Sequence, residues 1–263
     1  MSQWRRVEPL LAVFYGLASF LIIFLLVPLA SLFLGVDPSI ASRIFGSRMM
    51  AEEVKDALLV TLAASIAAVV LLAATGIPLA YVLARYEFRG KRIIESLIDI
   101  PLVMPHAVAG IMILSAYSRR GLLGGLVAAT GARIQDSFTG IVLAMAFVSA
   151  PLLVDTVKAG IASIDPMLEA VARTLGASAS KAIIDIVLPL SLRHIAAGLI
   201  LAWARSLSEV GAILVVAYYP MTINILIIEY MHIYGLAYAV ALSALYALLA
   251  ISLFTALRVV IGR

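Results

Sequence analysis

Residues Ile164–His194 read IDPMLEAVARTLGASASKAIIDIVLPLSLRH. Asp165 is placed to cap a helix that opens at Pro166, a favoured first-turn residue. Leu168, Val171, Ala172 and Leu175 then recur at spacings of three and four and form one apolar stripe. Gly176 supplies the stop. A second amphipathic piece, Lys181–Leu188, is expected to end at Pro189. A short helix lying across one face of the molecule and closed by a glycine suits a docking knob for a cytosolic protein. It suits equally an interfacial helix resting on lipid headgroups.

What flanks this segment is apolar. Of 263 residues, 64% are hydrophobic and 13% charged, against usual shares of roughly 45–50% and about 25%. The mean hydropathy is +1.12. A soluble domain, a disordered chain and a disulfide scaffold are excluded; with no cysteine there are no thiolate metal sites either. A bilayer core takes about 20 apolar residues in a helix. Six stretches qualify: Leu10–Leu34, Leu58–Ala84, Leu97–Tyr117, Phe138–Val157, His194–Ala217 and Leu236–Leu257. They are too long for barrel strands and lack alternation, so helices are expected. The first follows Arg5 and Arg6 as a signal peptide would. Its apolar run is longer than the roughly 7–15 residues of such peptides and no clear A-x-A site follows, so a retained helix is expected.

The net charge of +4 reflects basic loops at a membrane face rather than nucleic-acid binding. With the N-terminus inside, the inner segments hold twelve of the nineteen Lys and Arg residues and the outer segments six. The short loop with Arg85, Arg89, Lys91 and Arg92 gives the clearest signal. Both termini are therefore expected in the cytoplasm, with the 158–193 loop on the same side. Outer Arg119, Arg120 and Arg133 are solvated loop charges or a means to steer an anion.

Polar groups inside the spans are few. Arg205 and Glu209, in WARSLSEVGA, lie four apart, with Ser208 beside them. On a continuous helix they share a face, and Arg205 lies about 17 Å past His194. A charge at that depth faces protein or water: the pair either holds two helices together or lines a solute path. The third span opens IDIPLVMPHAVAG. Pro101 and Pro105 remove two backbone donors four residues apart, so this helix is expected to bend or break immediately before His106. The break is a packing kink or part of a pathway. Pro78 and Pro151 mark milder kinks.

No catalytic constellation is visible. There is no H-E-x-x-H, no G-x-S-x-G and no Walker pattern; Gly90-Lys91 is followed by Arg92. The chain shows no nucleotide site, and coupling to ATP would run through a partner. A stand-alone, ion-coupled secondary transporter is the rival class, for which inverted repeats would speak; an intramembrane enzyme is more distant.

Residues 166–189 resemble the cytoplasmic loop of permease subunits of binding-protein-dependent ATP-binding-cassette (ABC) importers. The family pattern is E-A-A, three residues, Gly, nine residues, Ile, one residue, Leu-Pro. Gly176, Ile186, Leu188 and Pro189 match it in spacing. The first three positions fall on Ala170, Val171 and Ala172, with Glu169 one residue early. IDIPLVMPHAVAGI, VARTLGAS, LPLSLRHIAAGLILAWARSLSEVGAI and VVAYYP resemble the molybdate/tungstate branch of these permeases, with some flavour of the sulfate branch. The resemblance implies an all-α, six-helix type I ABC importer permease fold in one domain, 1–263, within a cell membrane. It implies a homodimer with a pathway on the twofold axis, two cytosolic ATPase subunits that hold ATP and Mg²⁺, and an external solute-binding protein. Pro166, Glu169, Ala170, Ala172, Arg173, Gly176 and Pro189 would form the coupling site; Arg205, Ser208, Glu209, Pro105 and His106 would line or gate the path. No catalytic residue, metal or cofactor is expected in the chain itself.

Overall fold

The computed structural model describes residues 9–261, with side chains over 10–256. Arg5, Arg6, Arg258 and Arg263, part of the orientation argument, lie outside the described side chains. The described residues form helices and no strands. Contacts divide the chain into two compact units: 1–51 with 227–252, and 52–226 with 253–263.

In the first unit, α1 (Pro9–Leu34) is apolar on every side and exposed along its length, as suits a helix solvated by lipid. Asp37 caps α2 (Pro38–Gly46) by accepting from Ser39 N at 2.8 Å, and hydrogen bonding from the Ser39 side chain and then its backbone holds the carboxyl below its ordinary range. The unit also contains residues 227–234 of α13 (Ile223–Tyr234) and 236–252 of α14 (Leu236–Ile261). Tyr230 meets Tyr234 edge to face, and Tyr234 meets Tyr238 at a tilt, with ring centroids 5.0 and 5.1 Å apart.

The second unit is organised by α7 (Phe138–Ala162), whose Ile141, Met145, Leu153, Val157 and Ile161 are fully buried. Around it lie most of α3 (Arg48–Arg85), α4 (Lys91–Val103), α5 (His106–Tyr117), the short α6 (Gly124–Ala129), α11 (Leu192–Leu207) and α12 (Gly211–Val216). The α7–α11 seam is close because of its small residues. A side chain at Gly160 would place a Cβ 2.3 Å from His194 Cβ, and one at Gly198 would sit 3.2 Å from Leu153. Ser149 and Ser206 Oγ are 2.9 Å apart within this seam, and Trp203 Nε1 donates to Ser65 Oγ at 2.9 Å.

Four of the six expected spans are continuous helices long and apolar enough to cross a membrane. Pro78 and Pro151 lie inside α3 and α7 without ending them. The third expected span is two helices, α4 and α5, parted at Met104–Pro105, where the residue before Pro105 is extended; Pro101 lies inside α4 without ending it.

The fifth span corrects the expectation. α11 stops at Leu207, three residues are not helical, and α12 restarts at Gly211, with no proline at the break. The segment before it also differs. α8 (Met167–Thr174) is followed by α9 (Ala179–Ala182), a π-helical turn Ile183–Val187 and α10 (Leu188–Leu190). This helical run passes through Pro189 instead of ending there, because Pro189 occupies the first turn of α10, where no backbone donor is needed. The bend of 71° falls between Leu190 and Leu192.

Candidate functional site

Two polar sites stand out in the second unit. The first is α8. Asp165 Oδ1 accepts from Met167 N at 2.8 Å, so the helix starts one residue after the expected Pro166. At the other end Ala177 N donates to Ala172 O and Gly176 N to Arg173 O, with Gly176 at φ +94°. That pair of bonds is a Schellman stop, and the left-handed position is one glycine takes without strain. Met167, Leu168, Val171 and Leu175 are exposed, Leu175 at 83%. Ala170 and Arg173 are also exposed, while Ala172 is half-buried.

Glu169 faces the other way. Its Oε1 receives Arg85 Nε at 2.6 Å and its Oε2 receives Tyr81 O–H at 2.9 Å. Arg85 Nη1 also donates to Ile164 O at 3.0 Å. The Arg85 and Glu169 side chains are only 8% and 14% exposed. The usual amphipathic arrangement is thus inverted: the acid is held by α3 and the apolar side chains face outward. Pro189 lies elsewhere, beside Pro78, Leu188 and Ile195 on an apolar cavity of about 510 Å³.

The second site is the break between α11 and α12. Glu209 lies past the end of α11, so the expected shared helix face does not exist, yet Arg205 Nη2 still donates to Glu209 Oε2 at 2.7 Å. Glu209 is 1% exposed and its Oε1 accepts from Ala212 N at 2.7 Å. His106, the first residue of α5, brings Nδ1 within 2.8 Å of Glu209 Oε2 and 2.7 Å of Arg205 Nη2. Nδ1 either donates to the carboxylate or accepts from the guanidinium; one nitrogen does not do both. Arg205 Nη1 donates to Ser208 Oγ at 3.3 Å. His106, Arg205, Ser208 and Glu209 line one cavity of about 360 Å³ with Val210 and Gly211. Pro105 does not enter that cavity; it sets the extended backbone that starts α5.

Sequence reading missed the groups that complete both sites. Asn224 Nδ2 donates to Leu207 O at 2.8 Å and Glu209 O at 3.1 Å, satisfying carbonyls the break leaves open. Tyr81 and Arg85 carried no local signal beyond the basic loop. Lys158 pairs with Asp155 at 3.0 Å and Glu95 at 3.3 Å, joining α7 to α4. The expected outer arginines divide: Arg119 and Arg133 line a cavity of about 590 Å³ that Arg120 does not touch.

A multi-pass helical membrane protein with broken helices around buried charges and a capped, outward-facing apolar helix belongs to the class of transport subunits. Residues 76–263 match the family described as binding-protein-dependent transport system inner membrane component, and the chain belongs to that family. It is 40% identical over 255 residues to the molybdate/tungstate transport system permease protein WtpB of Thermococcus kodakarensis, covering 96% of each chain. It is 32% identical over 214 residues to the sulfate transport system permease protein CysT of Salmonella typhimurium, covering 81% of this chain and 77% of the relative. Its fold is that of ABC importer permeases. A bacterial ABC transporter involved in the import of the acidic polysaccharide alginate superposes with a TM-score of 0.74 at 19% identity, covering 98% of this chain and 96% of the other.

Proposed function

We propose that this chain is the membrane subunit of an ATP-driven importer of molybdate and tungstate. The observation that carries the reading is α8, which is capped at both ends and shows its apolar residues outward in a chain of this permease family. The substrate rests on the likeness to molybdate/tungstate permeases along 96% of the chain.

In this reading two copies form a homodimer with one pathway on the twofold axis. Two cytosolic ATP-binding cassette subunits hold ATP and Mg²⁺, and each receives one α8. An external solute-binding protein docks on the outer loops and delivers the anion. The subunit spans the plasma membrane with both termini in the cytoplasm and has no catalytic residue or cofactor of its own. Pro166, Ala170, Ala172, Arg173 and Gly176 shape the coupling helix, Glu169 orients it, and Pro189 starts the turn that leads to α11.

Arg205, Ser208, Glu209 and His106 line or gate the path, and Pro105 holds the break that admits His106. A conducted anion needs donors yet must leave again. An arginine already neutralised by Glu209 and flanked by a hydroxyl and an imidazole offers donors without a deep trap.

The test is reconstitution in liposomes with the ATPase and binding-protein partners. Molybdate and tungstate uptake should require ATP and both partners, and sulfate in excess should compete weakly. Strong sulfate competition would transfer the reading to a sulfate importer; uptake by the chain alone would make it a secondary transporter. Cysteines placed at 205 and 208, in a chain with none of its own, should label from the aqueous side in at least one nucleotide state. Silence in every state would make the pair structural.

A further inference from the structure

We infer that Arg85, aided by Tyr81, is the residue through which movement of α8 reaches the membrane helices, and that Glu169 serves this internal link and not the docking of a partner. The inference rests on the reading of α8 as the coupling helix.

Three observations converge on it. First, both carboxylate oxygens of Glu169 are taken, by Arg85 Nε and by Tyr81 O–H, so the acid has turned from the exposed face. Second, one guanidinium holds two points of the loop at once, the α8 side chain of Glu169 and the Ile164 carbonyl in the linker from α7. A group that grips both the helix and its lead-in resists rotation of α8 against α3 as well as separation from it. Third, the partners lie in α3, a helix of 38 residues that is continuous from Arg48 to Arg85. A continuous helix transmits displacement along its axis, whereas the broken pairs α4–α5 and α11–α12 absorb it.

Burial strengthens the link. At 8% and 14% side-chain exposure the pair is poorly screened, and separating it leaves two charges short of solvent. Arg85 Nη2 is buried without a hydrogen-bond partner among the described residues. It is a donor in reserve, able to take up a carbonyl of the loop if α8 shifts while Nε stays on Glu169.

The test uses the full transporter complex in liposomes, with two readouts: retention of the ATPase subunits after size-exclusion chromatography, and ATP hydrolysis stimulated by substrate-loaded binding protein. For Arg85→Gln and Glu169→Gln the expectation is normal retention with stimulation reduced at least tenfold; for Tyr81→Phe the reduction is about two- to threefold. Stimulation within twofold of wild type in both glutamine variants overturns the inference. Loss of ATPase retention in Glu169→Gln with normal retention in Arg85→Gln also overturns it, because Glu169 would then be a docking residue. Leu175→Asp tests the docking reading separately: it should lose retention, and normal retention there would remove the coupling role of α8 whatever Arg85 does. Misfolding is separated from uncoupling by the double variant Arg85→Cys/Glu169→Cys bridged by a short bis-methanethiosulfonate reagent. Bridging should restore stimulation at least fivefold over the reduced form of the same sample, and no gain on bridging counts against the link.

Discussion

Both polar sites are built on an Arg–Glu pair with a third polar side chain, and they differ in the backbone beneath. Arg85 and Glu169 sit on intact helices, α3 and a doubly capped α8, and are 84 residues apart. Arg205 and Glu209 are four residues apart, Arg205 on the last turn of α11 and Glu209 within the break, with His106 supplied from the edge of another break. An ion pair between intact helices ties rigid bodies together. One on broken helices sits where joints of two and three residues can change shape at little cost in helical hydrogen bonds. This contrast underlies the proposal of force transfer at the first site and gating at the second.

Four variants test that assignment, in falling order of effect. Gly176→Asp puts a charged side chain at φ +94°, a strain of at most about 1–2 kcal/mol, on the face proposed to dock. Substrate-stimulated ATP hydrolysis should fall to background while membrane insertion is kept. Glu209→Ala leaves Arg205 without its buried partner, a loss of about 3–5 kcal/mol. Uptake should fall by at least tenfold and thermal unfolding of the detergent-solubilised protein should come several degrees earlier, whereas ATPase retention stays normal. If retention failed instead, the two sites would not be separate in role. Asn224→Ala removes two bonds that close the break. It should lower stability by about 1–3 kcal/mol and raise protease sensitivity near 207–211, with a smaller loss of uptake. Ser206→Ala removes one bond of the α7–α11 seam and should cost about 0.6 kcal/mol, with uptake unchanged. A large uptake loss there would show that the seam moves during transport.

Legibility followed the range of the interactions. The break at Pro105 was readable because proline pushes the residue before it, here Met104, out of the helical region. The α8 caps were readable because Asp165 and Gly176 act within a few residues of the ends they close. The break at Ser208–Val210 was not, since the group that satisfies its open Leu207 and Glu209 carbonyls, Asn224, comes from the next helix. The stop expected at Pro189 failed because Pro189 falls in the first turn of α10, where its missing donor costs nothing.

Hydropathy, charge bias and local turn chemistry, all properties of short windows, were enough to establish a membrane protein with helical spans and a capped loop helix. Which face that helix presents, and which acid grips which arginine, depended on how distant helices pack. Burial makes an ion pair strong, and no window of sequence contains the helix that buries it.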